Sequence, residues 1–219
     1  MRVVGLLITV ANASVICYNH IMILYFDTET TGLYPGRIIQ LSYVMDSGEK
    51  VTGKNFYFAV DYIDPAATAV HGITVEKLKV LSDGKTFSDY QDEIYDDFSN
   101  AGLIVAHNAK FDIGFMIAEF KYLDRIFRYN ECLDTMRYFT PIMKLKRQSS
   151  NAYKYPKLAE LTEFAEVYSY DVSRAVKRIF GADSLNYHEA AFDTTSMYLA
   201  VENLKNRYEE LNKYLKTFY

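Results

Sequence analysis

Two acids separated by one threonine, Asp27 and Glu29, close an apolar, β-prone run, MILYFDTE, that starts at Met22. Side chains two apart on a strand project to the same side, so these carboxylates share one surface. A run with no polar alternation reads as a strand covered on both faces. Two further acids stand at the ends of buried elements. Asp112 follows the apolar stretch LIVA (103–106), at the start of a helical pattern, and Asp193 interrupts an apolar helical stripe. Carboxylates gathered without compensation repel one another and are costly to desolvate, so they either hold protons or bind cations. Hard oxygen ligands of this kind suit Mg²⁺ or Mn²⁺ better than zinc.

Each acid alone has an ordinary explanation. Asp112 complements a helix N-terminus capped by Asn108, Asp27 and Glu29 form a solvated strand end, or Asp193 pairs with a cation. All three explanations holding at once, for four acids, is a poor wager.

The elements that carry these acids follow from periodicity. MILYFDTE, RIIQLSYVM and NFYFAV read as three early strands separated by turn residues such as Asp46-Ser47-Gly48. Phe87, Tyr90, Ile94 and Phe98 recur at helical spacing, LIVA reads as a buried strand, and 111–123 reads as a second helix. Helical stretches are expected over 133–142 and 157–168. Ala190, Asp193, Met197, Val201, Leu204, Tyr208, Leu211 and Leu215 fall on one face of a long final helix. At 219 residues and 50% hydrophobic, the chain can bury one good core. Its net charge of −4 excludes coating nucleic acid by bulk positive charge, so any such binding must be local. Cys17 and Cys132 cannot staple a chain of this size and form no zinc pattern.

Three segments, FDTETTGL (26–33), HNAKFDIGFM (107–116) and HEAAFD (188–193), resemble the three motifs of the DEDDh exonucleases. DPAATAVHGIT (64–74) and CLDTMRYF (132–139) extend the resemblance to the epsilon-type proofreading subunits of bacterial DNA polymerase III, over roughly residues 22–205. The resemblance implies an α/β, ribonuclease H-like fold, a mixed five-stranded sheet flanked by helices. It also implies release of nucleoside monophosphates from the 3′ end of nucleic acid, with single-stranded DNA the expected substrate, in proofreading or repair. Carried over by position, Asp27, Glu29 and Asp193 hold one divalent cation, Asp27 bridges to a second supported by Asp112, and His188 is the general base. Two Mg²⁺ or Mn²⁺ ions would acidify a water and stabilise charge on the phosphate. Five helical residues turn through about 500°, which places His188 in the loop before the helix of Asp193 rather than on it. Thr30, Gly32 and Leu33 would form the turn that meets the terminal nucleotide, with Phe111 stacking or wedging it. His71 and Asn108 are weaker candidates for substrate contact. Thr74 as a helix cap and Gly72 as a turn account for much of HGIT, and His107 and Asn108 read equally as structure at a helix start.

The alternatives are an exoribonuclease of the same family, or a catalytically silent nucleic-acid-binding or polymerase-accessory module. The chain stops 26 residues after Asp193, without the docking tail of epsilon subunits, so a freestanding enzyme is expected as readily as a polymerase subunit. Residues 1–21 read as an extension upstream of the true start at Met22, and less readily as an export signal ending at Ala11-Asn12-Ala13. No membrane partner is expected, and the cytoplasm is the expected location. The segment KLKRQSSNAYKYPK (144–157) is basic and carries two tyrosines, reading either as a solvated loop or as a tracker of phosphates and bases. The stretch 173–187 suggests no role.

Overall fold

The computed structural model describes residues 22–33, 35–147, 151–181 and 190–219. The expected extension at 1–21 lies outside them. The three early runs become β1 (Met22–Thr30), β2 (Ile38–Asp46) and β3 (Val51–Tyr57). Three helices follow: α1 (Pro65–His71), α2 (Val75–Ser82) and α3 (Phe87–Asn100). Next come β4 (Ala101–Ala106), α4 (Ala109–Tyr122), β5 (Glu131–Asp134) and α5 (Thr135–Met143). The remaining elements are α6 (Leu158–Phe164), α7 (Ser169–Phe180), α8 (Ala190–Lys205) and α9 (Glu209–Lys216). One sheet orders the strands β3-β2-β1-β4-β5, antiparallel from β3 to β1 and parallel from β1 to β5. This is the mixed five-stranded α/β arrangement that the motif resemblance implies.

β1 lies at the centre and is covered on both faces, as its unbroken apolar run requires. Alternation sorts its side chains. Ile23 and Tyr25 face the core built with α7 and α8, through Val176, Met197, Val201 and Leu204. Leu24 and Phe26 face the core built with α3 and α4, through Ile94, Phe98, Phe115 and Phe120. Edge-to-face ring pairs seal each side, Tyr25 with Tyr198 at 5.2 Å and Phe26 with Phe98 at 5.0 Å between centroids. Truncating such a ring to alanine costs about 3–5 kcal/mol.

α8 presents small residues to the sheet, with Ala190, Ala191, Thr194 and Ala200 fully buried. The close approach that results lets the Thr194 hydroxyl donate to the Ser42 carbonyl of β2 at 3.2 Å.

Four sequence expectations need correction. The long final helix is two, because Arg207 and Tyr208 both donate their amides to the Leu204 carbonyl and close α8. The stripe nonetheless continues, since Leu211 and Leu215 of α9 bury in the same core. Leu133 and Asp134 belong to β5 rather than to a helix; Asp134 caps α5 by accepting from the Arg137 amide at 3.3 Å. The helix expected to run to 168 stops at Phe164. Glu166 there turns left-handed, with φ 57°, and α7 starts afresh at Ser169, occupying much of the stretch left without a role. Asn108 is not a side-chain cap: it sits in the left-handed region, and its amide donates to Asp134 Oδ1 at 3.1 Å.

Candidate active site

The alternation of β1 continues past the core. Asp27 and Glu29 follow Ile23 and Tyr25 on the α8 side, where Asp193 lies in the first turn of that helix. Ligand atoms of Asp27, Glu29 and Asp193 all fall within 4.8 Å of one another. Thr28 follows Leu24 and Phe26 on the opposite side and meets α4. Its amide donates to Asp112 Oδ1 at 3.1 Å and its hydroxyl to the same oxygen at 2.8 Å. Asp112 is thus fixed behind the other three at the shared end of β1 and β4.

The electrostatics match that geometry. Burial, followed by the charges of Asp112, Asp193 and Glu29, holds the Asp27 carboxyl well above the usual carboxylate range. Burial pushes Asp112 up to about 7, against the opposing pull of its Thr28 hydrogen bonds. Three half-buried carboxylates with converging oxygens are a donor set for a hard divalent cation. The residues present therefore fit the ion that the motif resemblance calls for.

Two residues missed by the sequence reasoning hold this arrangement. Thr28 is the first. Gln40 is the second: it lies opposite Glu29 in the β1–β2 register and is fully buried. Its Oε1 accepts from the amide of Ala190, first residue of α8, at 3.3 Å, while its Nε2 donates to Asn55 Oδ1 at 2.9 Å. A glutamine inside a mostly apolar strand was the available signal.

Beside the acids opens a mostly apolar cavity of about 510 Å³, lined by Glu29, Thr30, Gly32, Leu33, His71 and Phe111 among others. Five of the six sequence-derived substrate candidates meet there; Asn108 does not line it. Leu33 stands at the cavity, 83% exposed, and Phe111 is braced by Phe115 with centroids 4.9 Å apart. The opposite wall is the first turns of α1, where Asp64, Ala66, Ala67 and Val70 were also missed. Asp64 starts that helix by accepting from the Ala66 amide at 2.8 Å, and its own amide donates to the Thr31 carbonyl at 2.8 Å. Gly32 lies so close that a Cβ there would sit 3.2 Å from Asp64 Cβ.

His71 is buried, and burial lowers its pKa. Its Nδ1 accepts the Ile73 amide at 3.0 Å, which puts the proton of the neutral ring on Nε2. Thr74 caps α2 through the Lys77 amide and Gly72 ends α1 left-handed, as HGIT suggested. His107 is structural: its ring nitrogens lie 3.0 Å from Thr135 Oγ1 and 3.0 Å from the Pro156 carbonyl. His188 lies outside the described residues.

The turn between β1 and β2 is pinned from behind. Thr31 and Arg37 exchange hydrogen bonds of 2.8 and 2.9 Å. Arg37 also grips Glu119 of α4 through Nε at 2.9 Å and Nη2 at 2.8 Å, and the Ile38 amide adds a bond of 2.8 Å to the same carboxylate.

The model of the exonuclease family, RNase_T, matches residues 24–169, well over half of the 219-residue chain. The chain belongs to the exonuclease family. It is 43% identical over 109 residues to the DNA polymerase III subunit epsilon of Escherichia coli (strain K12), covering 45% of the chain and 43% of that relative. It is 29% identical over 187 residues to the subunit epsilon of Buchnera aphidicola subsp. Acyrthosiphon pisum, covering 74% of the chain and 77% of the relative. The chain thus spans less than half the length of its Escherichia coli relative. Its fold is shared with E. coli Exonuclease I in complex with a dA16 oligonucleotide, at a TM-score of 0.66 and 19% identity, over 90% of the chain and 43% of that structure. Among the described residues, no helix is long and apolar enough to cross a membrane.

Proposed function

We propose that the protein hydrolyses single-stranded DNA from its 3′ end, releasing nucleoside monophosphates with the help of two divalent cations, Mg²⁺ or Mn²⁺. The observation that carries this reading is the meeting of Asp27, Glu29 and Asp193 within 4.8 Å, with Asp112 behind them, on the rim of an apolar cavity of nucleotide size. Asp27, Glu29 and Asp193 hold one cation, and Asp27 with Asp112 supports the second. When bound, such ions acidify a water and neutralise charge on the scissile phosphate.

The chain's own residues supply the remainder. The cavity seats the terminal nucleotide, Leu33 and Phe111 flank its base, and the close Gly32–Asp64 contact keeps the turn rigid. Thr28 and Gln40 keep the carboxylates aimed at one another. His188, five residues before Asp193, takes the proton from the attacking water as the phosphorus–oxygen bond to the 3′ oxygen breaks. The kinship with polymerase III epsilon subunits supports a proofreading or repair setting.

A 5′-labelled oligonucleotide tests the reading, offered as DNA and as RNA side by side. Stepwise shortening of the DNA with Mg²⁺, stopped by chelator, is expected. Preferential shortening of RNA would replace the substrate, and no shortening of either with Mg²⁺ or Mn²⁺ would end the proposal. His188→Ala should lower turnover by roughly 10² to 10⁴-fold with little change in cation affinity. A defect confined to cation affinity would remove His188 from the role of base.

A further inference from the structure

The segment 144–157 holds five cations and no carboxylate in a chain whose net charge is −4. Its described parts form a hairpin: Lys146 pairs with Tyr153 in an antiparallel bridge, and the Lys154 amide donates to the Leu145 carbonyl at 2.8 Å. Residues that face one another in such a bridge share a side, and so do residues two apart along an extended limb. Lys146, Tyr153 and Tyr155 therefore lie on one face. Lys154, between the two rings, turns the other way and pairs with Glu160 of α6. Both tyrosines are exposed, 42% and 49%, as are Lys144, Lys146, Arg147 and Lys157. None of those four cations has a carboxylate partner among the described residues.

The hairpin's position gives this face its meaning. Pro156 is buried, and its carbonyl bonds to His107 Nε2. His107 stands two residues past Val105, which pairs with Tyr25; Asp27 stands two past Tyr25. Neighbouring strands lie about 4.8 Å apart, so the limb is bolted to the same end of the sheet as the acids. Exposed rings on a solvated hairpin, alternating with an inward-turned lysine and flanked by exposed cations, are the parts of a stacking platform with phosphate contacts.

The geometry points to this hairpin as the holder of the strand upstream of the 3′ terminus: Tyr153 and Tyr155 stack bases of single-stranded DNA, and Lys146 with its neighbouring cations contacts phosphates. The assignment rests on the acids being a nuclease centre for its purpose, whereas its binding test does not. Binding of a labelled oligothymidylate of about sixteen nucleotides is measured by anisotropy in chelator, where no turnover occurs. Tyr153→Ala/Tyr155→Ala should weaken binding by about 10- to 100-fold. Lys146→Glu, a change at an exposed site, should reduce the slope of log affinity against log salt by about 1. With Mg²⁺ restored, the fall in kcat/KM of the double variant should be at least about tenfold greater on the long strand than on a dinucleotide.

Wild-type affinity and salt slope in both variants, no binding by the wild type, or equal losses on the long strand and the dinucleotide would each overturn the assignment. A wild type that binds in chelator yet shortens no strand with Mg²⁺ would end the nuclease reading and leave the hairpin's role standing. Shortening with unaffected hairpin variants would do the reverse.

Discussion

Glu119 and Asp27 are both carboxylates withdrawn from water, and they lie at the two sides of the same turn. Glu119 is 1% exposed at its side chain and fully answered, by a two-pronged Arg37 and by the Ile38 amide. Asp27 faces Glu29 and Asp193 within 4.8 Å, with Asp112 a fourth acid behind them. The first arrangement fixes a loop; the second stores repulsion that a bound cation relieves. What separates these two acids is therefore the sign of the charge around them, not their burial.

The strongest way to break this contrast is to neutralise each side in turn. Asp27→Ala or Asp193→Ala should reduce Mg²⁺-dependent shortening of DNA by on the order of 10³-fold or more, exceeding the 10- to 100-fold typical of outer partners, while the cation-free protein keeps or raises its melting temperature. Near wild-type activity in either variant would show that the acids are not the centre. Arg37→Ala should do the opposite, losing about 3 kcal/mol of stability. That is the low end of the range, since Arg37 is itself 45% exposed and the Ile38 amide remains. Urea unfolding would measure it, and an unchanged midpoint would make the pair ornamental.

A finer probe is Thr28→Val, which keeps the amide to Asp112 but removes the 2.8 Å hydroxyl bond. Activity at limiting Mg²⁺ should fall about tenfold and recover at saturating Mg²⁺. Failure to recover would place Thr28 in the chemistry itself.

The smallest effect is a pH signature. Asp27 and Asp112 have folded pKa values above their unfolded ones. Their contribution to stability is therefore full below the unfolded carboxylate value near ~4 and is lost as pH rises, for Asp112 through about 7. Buried His71 and His107, with lowered pKa values, act in the contrary sense at acid pH, so the informative quantity is a difference. Asp27→Asn minus wild type, melted without cations, should widen by roughly 2–4 °C between about pH 5 and about pH 8. A flat difference would mean that the acids do not sense one another.

Much of this was legible in the linear order of residues. The acids announced themselves because charges at the ends of apolar runs break a pattern, and five substrate candidates in three separate segments met in one cavity. What escaped was whatever depends on a partner far along the chain. Thr28 looks like a routine β-former until Asp112, 84 residues away, bonds to it. Gln40 acquires its purpose only from Ala190, 150 residues on. α1 is too short for a helical period to show beside the more conspicuous HGIT, so the far wall of the cavity was missed. The break between α8 and α9 was invisible because periodicity records which residues face the core, and both helices face the same one.

The distribution of the acids along the chain also governs when the centre exists. Asp27 and Glu29 sit on a strand that can zip locally onto β2 and β3, whereas Asp112 must await the β1–β4 crossover and Asp193 the docking of α8. Contacts of such separation close late, because the entropy of the long loop must be met before they form. During synthesis the amino-terminal strands emerge first and carry only half of the acids. A partly folded chain then displays the first motif, even a finished hairpin, but lacks the full set of acids until its last long helix has come home.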